Sequence, residues 1–104
     1  MIEKKLKSSR KVLIKEMSVD TMDMINDMME LVLHPDGKQT FSGISKQQTA
    51  YIRHGLGGGD FNDWKPNGGV TPDSIIKQMS KDERDELRVL IEEAQVINPS
   101  KPSN

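Results

Sequence analysis

Apolar positions along the chain come in short groups whose spacing changes from place to place. In KVLIKEM, Lys11 to Met17, Val12 and Ile14 fall on one side and Leu13 on the other, which is the alternation of a strand. Ser18 follows as a preferred helix N-cap, with Asp20 in the first turn where negative charge suits the helix dipole. In VDTMDMINDMMELVL the spacing becomes three and four. Met22, Ile25, Met28, Met29 and Val32 form one stripe, and Asp20, Asp23, Asp27 and Glu30 occupy much of the rest. This pattern predicts a helix that runs to HPDGKQ, where Pro35, Asp36 and Gly37 supply turn chemistry. The TF that comes next reads as a brief extended return pairing with the first strand.

Further along, Ser45 is placed to cap a second helix, KQQTAYIRHGL, that Gly55 ends. After a glycine-rich stretch, VTPDSIIKQM restarts a helix with Thr71 as cap and Pro72 at the first helical position, where its missing N–H costs nothing. Ser80 and Glu83 make a capping box before RDELRVLIEEAQVI, whose stripe is Leu87, Leu90, Ile91 and Ala94. The expected fold is mainly α: a small helical domain with a short N-terminal β strand or hairpin and a glycine-rich loop. The expected single domain, 1–104, divides into a basic arm (1–10), a strand plus two helices (11–56), the glycine-rich loop (57–70), C-terminal helices (71–97) and a polar tail (98–104).

Composition narrows the function. With 104 residues, 34% apolar and 30% charged, the chain suits one small domain with a thin core. Fifteen basic against sixteen acidic side chains argue against a general nucleic-acid binder. No apolar run approaches the roughly 20 residues that span a bilayer, and the VLI after the basic start is too short for a signal-peptide core. The absence of cysteine is compatible with a reducing compartment. A soluble, cytoplasmic protein without membrane contact is therefore expected. Charge is unevenly placed, however. Residues 1–15 hold six Lys/Arg and one Glu, whereas residues 16–36 hold six Asp/Glu and neither Lys nor Arg. The basic run reads either as a solvated end or as an arm for an acidic partner.

The stretch HGLGGGDFNDWKPNGGV holds six of the eight glycines and the only tryptophan. It is not a dinucleotide fingerprint, which needs a strand before the glycines and a helix directly after them. Nor is it a P-loop, since no glycine precedes Lys-Ser or Lys-Thr. As a calcium loop it offers Asp60 and Asn62, but Trp64 and Lys65 stand where an oxygen ligand and a glycine are required. Phe61 and Trp64 remain, either folded back onto the core or presented to a partner. His34 and His54 lack metal-ligand spacing, no serine can be tied to a histidine and an acid, and the carboxylate pairs fall on solvent faces. No catalytic, cofactor or metal residues are expected. The methionines are different: Met17, Met22, Met24, Met28 and Met29 crowd into 13 residues, and methionine favours adaptable contact surfaces. Met22, Met24, Met28 and Met29, with Phe61 and Trp64, are the candidate contacts for a protein partner or a second copy of the chain.

Two ends of the chain carry a resemblance. At the front are Val12, Ile14, Lys15, Glu16, Ser18 and Val19, a strand-like segment running into a Ser-capped helix. At the back are Met79, Ser80, Asp82 or Glu83, Leu87 and Asn98. The arrangement resembles the tail assembly chaperones of long-tailed bacteriophages, although the glycine-rich segment has no counterpart there. The resemblance implies a non-enzymatic protein that coats the helical tape-measure protein and recruits tail-tube subunits during assembly. Two other classes are expected alternatives. One is a permanent adaptor or decoration component of a virion. The other is a small regulator that binds a host protein or nucleic acid through Lys4, Lys5, Lys7, Arg10 and Lys11.

Overall fold

A computed structural model describes residues 1–66 and 68–97, with side chains to residue 95. The fold is mixed α and β, which corrects the mainly helical expectation: four helices and five strands occur among the described residues. Strands β1 (Ile2–Lys5), β2 (Lys11–Ile14) and β5 (Leu56–Gly59) form one antiparallel sheet in the order β1-β2-β5. Strands β3 (Glu30–Leu33) and β4 (Gln39–Ser42) form a separate hairpin. The helices are α1 (Val19–Asn26), α2 (Ile44–Gly55), α3 (Asp73–Ile76) and α4 (Lys81–Ile97). Among the described residues no helix is long and apolar enough to cross a membrane. The expected tail, 98–104, lies outside the described residues.

β2 is the central strand, and its alternation has the predicted consequence: Val12 and Ile14 are buried, Leu13 half-buried. The basic segment before it is a strand in place of an arm. Ile2 pairs with Ile14 and Lys5 with Lys11, and the chain reverses at Leu6–Ser9, where the Ser9 amide donates to the Leu6 carbonyl. Lysines on β1 mask the edge-strand character in the sequence, because a charged edge is how an exposed strand avoids further pairing. β5 was hidden for the opposite reason. Its glycines offer no pattern, yet Gly59, Gly58 and Leu56 pair with Val12, Leu13 and Ile14.

Helix packing covers one side of this sheet. Val12, Ile14 and Leu56 meet Ile52 of α2, Ile75 of α3, and Leu87 and Ile91 of α4 in one cluster, all nearly solvent-free. Gly55 sits where α2 crosses α4; a Cβ there would run into the side chains of Ile91 and Met17. Thr71 is fully buried, its amide donating to the Arg53 carbonyl at the end of α2. Pro72, rather than Thr71, is the N-cap of the single-turn α3, and Gly43, rather than Ser45, precedes α2 as its N-cap.

Two capping predictions hold. Ser18 Oγ accepts from the Thr21 amide at 3.1 Å. Ser80 and Glu83 close a reciprocal box, with the Glu83 amide donating to Ser80 Oγ at 3.1 Å and the Ser80 amide to Glu83 Oε1 at 3.0 Å. The predicted first helix, in contrast, is cut short. α1 stops at Asn26, and Glu30–Leu33, the last part of that periodic run, is a strand. TF belongs to β4 and pairs with β3, not with the first strand.

Candidate interaction surface

The glycine-rich segment is held against the domain rather than presented. Asp60 exchanges backbone and side-chain hydrogen bonds with Lys11, and the Gln78 side chain brackets Asn62, accepting from its amide at 2.8 Å and donating to its carbonyl at 2.9 Å. Phe61 and Trp64 are half-buried, meet edge to face at 5.4 Å between centroids, and pack on the core. Arg10 lies over the Phe61 ring at 4.9 Å. The same guanidinium donates to Glu83 at 2.9 Å, to the Asp60 carbonyl at 2.7 Å and to the Gln78 carbonyl at 3.0 Å. It thereby ties β2, the glycine loop, the α3 exit and α4 together.

The methionines divide. Met28 is half-buried against the core, and Met22 and Met29 are half-buried. Met24 alone of the four is largely open, 43% exposed on the outer side of α1. Ile25 supplies the buried anchor of that helix. The six candidate contacts therefore do not form one surface: Phe61 and Trp64 belong to the glycine loop packed on the main sheet, and the methionines to the α1 region.

The large exposed apolar side chains gather elsewhere, on the β3–β4 hairpin. Every residue from 30 to 42 is exposed. Leu31 pairs with Phe41 and Leu33 with Gln39, so Leu31, Leu33 and Phe41 share one face. They are 50%, 69% and 60% exposed. The other face carries Glu30, Val32, Thr40 and Ser42, with His34 Nε2 within 2.9 Å of Thr40 Oγ1. The tip is a tight three-residue closure. The His34 amide donates to the Lys38 carbonyl, the Gly37 amide to the His34 carbonyl, and Gly37 takes φ 86°, the left-handed position that completes such a turn. Asp36 Oδ1 accepts from the Lys38 amide at 3.0 Å. A two-stranded hairpin without a covered face is marginal by itself in water, so this one has apolar surface to gain from a cover.

Sequence reasoning missed Leu31, Leu33 and Phe41 because ELVL extends a helical stripe without a break. The signal that could have found them is HPDGK, a hairpin closure flanked by a β-type run on each side. An open groove of about 680 Å³ adjoins the hairpin base, lined among others by Asp27, Glu30, Lys46, Arg53 and His54. Burial, with Lys15 and Arg53 nearby, holds the His54 imidazole below its ordinary pKa. A second open groove, about 740 Å³, runs along α4 between acidic side chains over Val89 and Leu90. Among the described residues there is no group of three or more His, Asp or Glu placed to hold a metal ion. Comparison of the chain with protein-family models, with curated proteins and with solved structures finds no match.

Proposed function

We propose that this chain is a non-enzymatic protein-binding module that covers an apolar helical stripe of its partner during assembly, as phage tail assembly chaperones do. One observation carries the reading: the hairpin turns Leu31, Leu33 and Phe41 to solvent on a single face. Large apolar side chains gathered on one exposed face mark an interaction site. Met24, exposed on α1, is a further adaptable apolar side chain open to solvent. The resemblance at the two ends of the chain supports the assembly role, and the tape-measure and tail-tube proteins are the partners it suggests.

The test is co-expression with the tape-measure protein of the same source. The wild-type chain is expected to hold that protein in solution as a complex. Leu33→Asp with Phe41→Asp should abolish the complex while leaving the domain folded, since neither side chain is buried. An intact complex with the double variant overturns the hairpin as the contact. Finding the chain at full stoichiometry in finished particles would replace the chaperone role by that of a structural component.

A further inference from the structure

The outer edge of β3 is unpaired among the described residues, and it differs from the β1 edge. β1 ends its sheet with Lys4 and Lys5, which guard it against added strands. β3 reads Glu-Leu-Val-Leu, without lysine, proline or bulge. Its hydrogen-bonding groups can be assigned. Because the His34 amide donates to Lys38 across the hairpin, the main-chain groups of His34, Val32 and Glu30 face β4 by alternation. Those of Leu31 and Leu33 therefore point to the open edge. Two donors and two acceptors are presented there on a strand whose side chains are exposed.

We propose that two copies of this chain pair antiparallel through β3, forming a four-stranded sheet β4-β3-β3-β4 about a two-fold axis at Val32. This register is the one that the charges select. Leu31 exchanges both hydrogen bonds with the partner's Leu33, and Leu33 does so with the partner's Leu31. Val32 lies against the partner's Val32, and the Glu30 carboxylate meets an imidazole N–H of the partner's His34. Moving the axis to Leu33 would set Glu30 against the partner's Asp36, two like charges, and moving it to Leu31 would push pairing back into the turn that follows α1. In the selected register the tip of each hairpin reaches the base of the other, where Lys46 and Arg53 line the open groove together with Asp27 and Glu30. The apolar faces of the two hairpins become one continuous face of Leu31, Leu33 and Phe41 from each copy, twice the platform one copy offers.

Light scattering after size exclusion tests the pairing without reference to any other protein. Wild type should be a dimer. Val32→Lys places two ammonium groups opposite each other at about 4.5 Å between Cα atoms, and should be a monomer with an unchanged far-UV spectrum. Val32→Glu should likewise be a monomer. Mixing the two variants should restore a one-to-one dimer. A monomeric wild type, a dimer that Val32→Lys leaves intact, or two monomeric variants that fail to pair when mixed would each overturn the proposal. Partner capture by the monomeric Val32→Lys chain keeps this outcome separate from the assembly role.

Discussion

Among single residues, Arg10 and Glu83 have the widest reach. Burial pushes the Glu83 carboxyl upward, but hydrogen bonds from the Ser8 hydroxyl, the Ser80 amide and Arg10, with the Arg10 charge, outweigh it and take the group from 4.5 down to about 2. A carboxylate with a depressed folded pKa stabilises the fold fully above its unfolded value, and that contribution is lost as pH falls. Urea melts should therefore show wild-type stability dropping between pH 4.5 and about 2. Glu83→Gln should cost about 2 kcal/mol near neutral pH and flatten that slope. Ser9 offers a change of opposite sign. It holds φ 75° in the β1–β2 turn, where an L side chain is strained and glycine is not. Ser9→Gly should raise stability by about 0.5 kcal/mol, read from the same melts. Of these features the Ser80–Glu83 box was legible in the sequence, because its partners lie three residues apart. Arg10 was not, since its partners come from residues 60, 78 and 83 and only the folded chain brings them together.

Elements were legible where one period held and a cap closed it. α4 combines both, and β2 alternates cleanly between two polar ends. The boundary between α1 and β3 had neither. Met28 and Met29 continue the helical stripe into ELVL, and no glycine or proline marks the break, which Asp27–Met29 makes through a turn. Tertiary circumstance decided the outcome: Ile25 finds the core at 0% exposure and Met28 packs at its margin, whereas Leu31, Val32 and Leu33 stay exposed. Ser18→Ala should remove the α1 cap and cost about 1 kcal/mol in thermal or urea unfolding. Gly37→Ala should destabilise the hairpin by about 1 kcal/mol, because open space around it does not relieve the left-handed backbone. Amide exchange of residues 31–41 should accelerate in that variant while exchange in α4 stays unchanged.

The whole molecule separates into a body that is folded by its core and a hairpin that contributes nothing to that core. Replacing residues 30–42 by a short Gly-Ser linker should leave the unfolding midpoint within a few degrees of wild type and remove partner capture. Leu87→Ala, in the fully buried cluster, should cost 2–5 kcal/mol, the usual range of about that size for a core leucine. The division also explains why the exposed apolar face was hard to read from composition: a thin apolar content suggested that every large side chain would be needed inside. The order in which the chain is made gives the body a further property. Its central strand is made well before the segments that cover it, β5 from residue 56 and Leu87 and Ile91 of α4. Val12 and Ile14 must therefore wait, uncovered, until α4 has been translated. The hairpin at 30–42 is local and complete long before that, so a nascent chain can display the proposed recognition surface before it has a stable body to carry it.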